Sequence, residues 1–590
     1  MNTSKNKLSA VLFVLFVIAA IFIVGSQLLS GANLNIGNFF DSRETVEISV
    51  IYAPESEAYL PEAIKEFNDS YSRGINPVTG KSLGKDDKKI VVTGKNASSG
   101  TIKDQIVNAI LNRSGEKSQP TIFAPSVSSW LSLVNHETSR EVFKQENIVA
   151  TANAPVVMAI WESRLNLLKA KYGDNVGWEE LLAVLNSPNG WKDFTTDPNV
   201  RKKVYYGHTD PRISSTALST LTMEYFASAK QDSKNANLDQ LTLSDVQKAS
   251  VQKRVKDIEQ LIRHYSSRTT EFKQYIAQGP DYLDFVALEE NDLIYINQGK
   301  TEYKPPEKLV ALYPKEGTFN HEHPFGIVTA DWVSEAQTAA AKEFTNYVLT
   351  DEVQKKVLES GFRPASTTVA LGYPIVKDLG VDPAQPAKLL KTPAPQVIAA
   401  VQEGWDLVKK RSDVIILVDT SGSMDGPKID NAKKAIQAFA ESISSSSRIA
   451  LTSFSDKMTR NVPLGATETN RNRVTLAINE LQASGSTALY DSLSAMIDEL
   501  SKDTDQTTIK AVVVLSDGED TSSTTKLSDI TAKLNELHKD GSSILIIPVA
   551  YGADADLRAL DSIARASKTV VQQGDAKDIT KLFETISSYF

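Results

Sequence analysis

Residues 414–426 read VIILVDTSGSMDG, and this stretch decides the fold of the C-terminal third. An unbroken apolar run, Val414 to Val418, ends in the carboxylate of Asp419. Hydroxyls follow at every second position, Ser421 and Ser423. Such a run predicts a strand buried on both faces, as in a parallel sheet covered by helices. The oxygens after it are either an ordinary polar turn, in which Asp419 and Ser421 cap backbone groups, or half of a cation site. Three more apolar runs continue the plan: IALTSF (449–454), AVVVLSD (511–517) and ILIIPVAYG (544–552). Helical spacing intervenes near 428–445, 487–502, 525–540 and 576–588. The alternation predicts an α/β, Rossmann-like unit.

Ligands of open α/β sheets gather at the carboxyl ends of the strands. Two further segments place oxygens there. GSTALYDSL (485–493) puts Thr487 at a helix start, and VVVLSDGED (512–520) puts Asp517 at a strand end. Asp419, Ser421, Ser423, Thr487 and Asp517 together form an all-oxygen donor set. It suits Mg²⁺, or Mn²⁺ or Ca²⁺ in its place. Neutral hydroxyl ligands leave such a cation under-neutralised and electrophilic towards an incoming carboxylate. With all three segments in order, residues 412–590 resemble the von Willebrand factor A domain, and the five residues fall on that family's metal-ion-dependent adhesion site. The resemblance implies that the serines and the threonine contact the metal, that the aspartates often act through water, and that a protein partner's acidic side chain completes the shell.

The N-terminus predicts the compartment. Lys5 and Lys7 precede the apolar span 8–29, which as a helix is about 33 Å long, enough to cross a bilayer. The positive flank orients residues 1–7 to the cytoplasm and predicts export of the rest. A cleaved signal peptide is the alternative, but its cleavage signal, Ser30-Gly31-Ala32 at best, is weak. The expectation is a single-pass transmembrane anchor in the cell membrane, then a polar stalk at 30–45.

From residue 46 the strand–helix plan recurs: VEISVIYA (46–53), a helix over 59–71, then KIVVTGKNASSGTIKDQIVNAIL (89–111) and PTIFAPSVSSWLSLV (120–134). IVATANAPVVMAIW (148–161) adds a strand-rich crossover. Residues 178–300 read as more helical and end in strand-like DLIYINQ (292–298). Anions bind where a helix N-terminus presents free N–H groups. Ser98, Ser99, Gly100 and Thr101 open one helix, and Ser214, Ser215 and Thr216 open another. If the two starts belong to two lobes, they frame a cleft for a small anionic ligand; each is otherwise a plain N-cap. Residues 46–365 resemble the bacterial extracellular solute-binding proteins of the molybdate- and phosphate-binding group. The marks are the opening strand–helix unit, GPDYLDFVALEENDLIYIN (279–297), ALYPKEGTFNHEHPFGIVTADW (311–332) and FTNYVLTDEVQKKVLESGFRP (344–364). The resemblance implies two α/β lobes closing on a ligand through hinge strands. A proline-rich boundary and a helix, 366–411, lead into the A-domain-like unit.

Composition excludes several chemistries. The 590 residues carry no cysteine, so thiolate metal sites, disulfides and a cysteine nucleophile are absent. A net charge of -9 gives no bulk attraction for nucleic acid. There is neither Gly-x-Ser-x-Gly nor a phosphate-binding Gly-x-x-x-x-Gly-Lys loop. His321 and His323 flank Glu322 just before Pro324, a pattern expected of surface polar residues. The function expected is binding, not catalysis. The A-domain-like unit engages a protein partner and the two-lobed region captures or senses a small ligand. The alternative is a membrane-tethered solute receptor of an ABC-type transporter.

Overall fold

The computed structural model describes residues 43–590, apart from 199, 201, 202, 208, 234–237, 264, 267, 268, 506, 540–542 and 576. The expected transmembrane span 8–29, and the stalk as far as residue 42, lie outside the described residues. Among those described, no helix is long and apolar enough to cross a membrane.

In chain order the first eleven strands are β1 (Thr45–Tyr52), β2 (Lys89–Asn96), β3 (Ile122–Ala124), β4 (Ile148–Ala150), β5 (Ala152–Trp161), β6 (Tyr206–Gly207), β7 (Phe285–Glu289), β8 (Leu309–Leu312), β9 (Asn320–His321), β10 (Pro324–Ile327) and β11 (Arg363–Pro364). They build two sheets. The first lobe has the order β2-β1-β3-β10-β4, and the second β11-β5-β7-β6 with β8 and β9 also on β5. β4 and β5 belong to different sheets yet are separated by Thr151 alone. β9 and β10 likewise change sheets across Glu322 and His323. These neighbouring crossovers form the hinge. They are stitched together, since the Thr151 hydroxyl donates to the His323 carbonyl at 2.6 Å.

The expected strand at 292–298 is overturned. Glu290–Asn297 is a helix, and the strand is the five residues before it, Phe285–Glu289. Leu293, Ile294 and Ile296 are all buried, so a short helix covered on several sides presents the same apolar run as a strand.

The remaining strands, β12 (Arg411–Asp419), β13 (Arg448–Phe454), β14 (Met458–Ala466), β15 (Thr508–Ser516), β16 (Ile544–Tyr551) and β17 (Gln572–Gly574), form a third sheet of order β14-β13-β12-β15-β16-β17. All its pairs are parallel except β13–β14 at the edge. Val414 to Val418 are fully buried. Val414, Ile416 and Val418 pack with the helices Pro427–Ser442 and Ile579–Ser587 on one face. Ile415 and Leu417 pack with Leu489–Ser501 and Leu557–Ser567 on the other. Each such side chain contributes about 1.5–3 kcal/mol relative to exposure. The chain leaves β12 to both sides, so the crevice at its carboxyl end is a switch point of the topology.

Residues 366–411 are built into the core. Ile375 and Val381 pack in the second lobe. In the helix Pro395–Glu403, Ile398 packs against first-lobe Trp130 and Leu131, and Gln402 donates to the Pro211 carbonyl at 2.9 Å. One apolar cluster runs from the second lobe through Trp405 and Val408 into the β12 face. The Tyr589 hydroxyl donates to Glu271 of the second lobe at 3.0 Å.

Candidate functional sites

Of the five predicted metal ligands, Asp419, Ser421, Ser423 and Asp517 meet at the carboxyl ends of β12 and β15, and the loop that carries Thr487 packs beside them. Asp419 is the last residue of β12 and is fully buried. Its Oδ1 accepts the Ser421 N–H at 2.8 Å and its Oδ2 the Ser516 hydroxyl at 2.7 Å. The Ser421 and Ser423 hydroxyls lie 3.0 Å apart, and Ser423 donates to Asp517 Oδ1 at 2.7 Å. Asp517, also fully buried, follows β15 directly. The Thr487 loop is tied to this row through its backbone: Gly422 N–H donates to the Gly485 carbonyl at 3.0 Å and Ser484 N–H to the Thr420 carbonyl at 2.8 Å. Thr487 itself is buried.

The electrostatics fit a cation. Burial pushes the Asp419 carboxyl up and the nearby charge of Asp517 adds to this, against the hydrogen bonds from Ser421 and Ser516. Asp419 has no ion pair among the described residues. Asp517 has one, with Lys428 Nζ at 2.5 Å from Oδ2. Sequence reasoning passed over Lys428, although it lies within reach in the first turn of the helix that follows.

The two Ser/Thr helix starts also meet. Gly100 N–H donates to the Ile213 carbonyl at 3.0 Å, and the Ser215 hydroxyl donates to Ser99 Oγ at 3.2 Å. A Cβ on Gly100 would lie 1.9 Å from the Arg212 carbonyl oxygen, so only glycine allows this approach. Ser98, Ser99, Ser214 and Ser215 line a cleft together with Glu55 and Thr269. Its volume is about 10 Å³, no more than one water can occupy. The two helix starts thus meet with almost no space between them. Thr101 is exposed and faces a different cavity, and Thr216 is buried away from the cleft. Successive residues of a helix point about 100° apart, which turns these two aside. Ser214 does act as an N-cap, accepting from Ala217 N–H at 3.3 Å.

Behind the cleft sits a cluster that the sequence did not disclose. His321 and His323 were expected at the surface, and the structure corrects this: they are 0% and 2% exposed. Glu289, at the end of β7, accepts from both, Oε1 with His321 Nδ1 at 2.7 Å and Oε2 with His323 Nε2 at 3.0 Å. The imidazoles pair in turn with Ser219 at 2.8 Å and Ser56 at 3.3 Å. Burial alone would raise Glu289, but the two imidazoles hold it at about 2. Burial likewise opposes a charged His323, yet Glu289 outweighs it and the net shift is upward. Glu55, in the cleft, is pushed up to about 7 by burial and by the charges of Glu289 and Asp292. The available signal was FVALEE, an apolar strand ended by carboxylates, the same pattern that marks Asp419 and Asp517.

Comparison with known proteins follows this division. Residues 143–383 match the model of the bacterial extracellular solute-binding protein family, and 413–585 that of the von Willebrand factor type A domain. A von Willebrand factor A domain-containing protein of Dictyostelium discoideum is 29% identical over 171 residues, 28% of this chain. The chain spans only 17% of that relative's length. Among solved structures, the sulfate-binding protein SubI from Mycobacterium tuberculosis H37Rv is 17% identical, with a TM-score of 0.37, covering 61% of this chain and 96% of that one. A von Willebrand factor type A protein from Catenulispora acidiphila is 21% identical, with a TM-score of 0.28, covering 31% and 43%. The chain thus joins a bacterial extracellular solute-binding domain to a C-terminal von Willebrand factor type A domain.

Proposed function

We propose that this chain is an exported, membrane-anchored binding protein whose A domain holds a protein partner through a divalent cation, while the two-lobed domain captures or senses a small ligand. The observation that carries the first half is the hydrogen-bonded row from Asp419 through Ser421 and Ser423 to Asp517, with two fully buried carboxylates at one switch point. Buried carboxylates are costly unless paired or bound to a cation. The Ser421, Ser423 and Thr487 hydroxyls would hold Mg²⁺ or Mn²⁺ together with Asp419 and Asp517. The bound ion would supply an electrophilic centre for a partner's carboxylate. The second half is supported by the hinged lobes and by the serines that line their cleft.

Calorimetric titration of the purified protein with Mg²⁺ and Mn²⁺ tests the metal site. Asp419→Ala is expected to abolish binding and to leave the fold intact by circular dichroism. Its cation-free melting temperature should be equal or slightly higher, because an unpaired buried carboxylate is gone. Absence of millimolar or tighter divalent binding by the unaltered protein, even with an acidic partner peptide added, would overturn the proposal.

A further inference from the structure

A cavity of about 280 Å³ opens where both lobes meet the A domain. Thr101 and Asp104, on the helix Ser99–Leu111, bring the first lobe to it, and Asp210 and Arg212, in the loop after β6, bring the second. Lys409 reaches it from the end of the junction helix Trp405–Val408. The A domain adds Ser442 and Ser587, the last residues of the helices Pro427–Ser442 and Ile579–Ser587. The cavity shares only Ile213 with the lining of the cleft between the lobes, and nothing with the cation site.

Two of its charged residues are buried, Lys409 at 6% exposed and Asp210 at 9%. They are opposite in charge, yet they do not pair with each other. The Lys409 ammonium lies over the rings of Tyr265 and Trp405, 5.0 and 5.9 Å from their centroids, and has neither hydrogen bond nor ion pair among the described residues. Asp210 Oδ1 accepts the Arg212 N–H at 2.8 Å, and the carboxylate has no ion pair among the described residues. The other charged groups stand at the rim and most are engaged there. Arg212 pairs with Asp406 at 2.7 Å and Asp104 with Lys103 at 2.6 Å, while Glu584 is exposed. Burial pushes the Lys409 ammonium down, against the charges of Asp210 and Asp406. A buried ammonium and a buried carboxylate, each short of a charged partner in contact, cost stability until each acquires one.

We propose that this cavity binds a small zwitterion, an α-amino acid with a short side chain, its carboxylate on Lys409 and its ammonium on Asp210. A simple anion would satisfy Lys409 and be repelled by Asp210, and a simple cation would do the reverse. One molecule carrying both charges close together completes both groups through charge-assisted hydrogen bonds. The volume lies at the small end of the range for ligand sites. The hydroxyls of Thr101, Ser442 and Ser444 on the walls suit a short polar body better than a long apolar one. The loop that carries Asp210 is also the one whose Arg212 carbonyl abuts Gly100. The ligand therefore ties the junction to the loop on which the helix start of the first lobe is seated.

Saturation-transfer NMR titrations of the full chain at neutral pH test this, with glycine, alanine and serine beside acetate and methylammonium, which carry one of the two charges each. Saturable binding of at least one amino acid is expected, with acetate and methylammonium at least tenfold weaker, the loss of one charge-assisted hydrogen bond. The variants should divide the preference. Asp210→Asn should bring the amino acid down to the affinity of acetate and leave acetate no weaker, and Lys409→Met should bring it down to that of methylammonium. Lys65→Met, altering an exposed lysine of the first lobe, should change nothing. Melting curves establish that each variant is folded. Asp210→Asn keeps the size of the side chain and an acceptor for the Arg212 N–H, so it carries the test if Lys409→Met does not fold. The proposal is overturned if none of the three amino acids binds saturably at tens of millimolar, if acetate binds as tightly as they do, or if folded Asp210→Asn keeps the affinity of the unaltered protein.

Discussion

Lys428 puts the cation site to a sharper test than removal of a ligand does. Its ammonium is 2.5 Å from Asp517 Oδ2 and its side chain is 31% exposed. A divalent ion on the same carboxylate must share it with this ammonium or displace it. Two charges against one at about 5 Å repel by about 1.7 kcal/mol in a water-like dielectric, and by about 3.3 kcal/mol at half that dielectric. The exposure of Lys428 lets the chain swing aside, which reduces the penalty. Lys428→Met should therefore favour Mg²⁺ by about 1–2 kcal/mol, about a five- to thirtyfold tighter Kd. Without cation the sign reverses. Asp517 is fully buried and loses its ion-pair partner, so the metal-free protein should melt at a lower temperature than the unaltered one. The variant thus becomes more dependent on the cation. Titration calorimetry with Mg²⁺, beside melting curves with and without chelator, reads both effects. Lys428→Arg keeps the charge and should show no gain. A folded Lys428→Met with unchanged or weaker affinity would refute the reasoning, because Asp517 would then not be a group for which cation and lysine compete.

Three further outcomes follow from the same geometry. Gly100→Ala should push the two helix starts apart, since its Cβ would meet the Arg212 carbonyl at 1.9 Å; small-angle scattering should show a larger radius of gyration, although helix propensity alone would favour alanine by about 1 kcal/mol. Glu55 has its carboxyl raised to about 7, so it costs stability as pH climbs from the unfolded value near 4.5 through 7, and nothing below that window. Glu55→Gln should thus be more stable than the unaltered protein by about 3 kcal/mol at pH 8 and indistinguishable near pH 4, checked by urea unfolding at both. Glu289, held at about 2, contributes stability above about 4.5 that is lost as pH falls towards 2, whereas the raised His323 contributes below about 6.5 and loses it as pH rises. The melting temperature should therefore peak between those limits, and Glu289→Gln should flatten the peak.

What the sequence disclosed and what it hid differ by the distance over which the signal acts. VIILVD, IALTSF, AVVVLSD and ILIIPVAYG fall on β12, β13, β15 and β16 because a strand buried on both faces needs an apolar residue at every position, and the requirement is local. β14 escaped notice because MTRNVPLGA is a mostly uncovered edge strand that carries a proline. Apolar order alone also could not separate the strand Phe285–Glu289 from the buried helix Glu290–Asn297 after it. The candidate sites divide in the same way. An apolar run ended by a carboxylate singled out Asp419 and Asp517, and the identical pattern stands at Glu289. What made Asp419 legible was that Ser421 and Ser423 lie on the same turn; Asp517, 94 residues from Ser423, was read only because three oxygen-bearing segments follow one another in the order of a known family. The companions of Glu289 are His321 and His323, brought to it only when β9 pairs with β5 and the chain recrosses between the lobes. Taken alone, a histidine beside a glutamate and a proline has the composition of a surface loop. Its burial is a consequence of the hinge, and the hinge exists only in the assembled sheets.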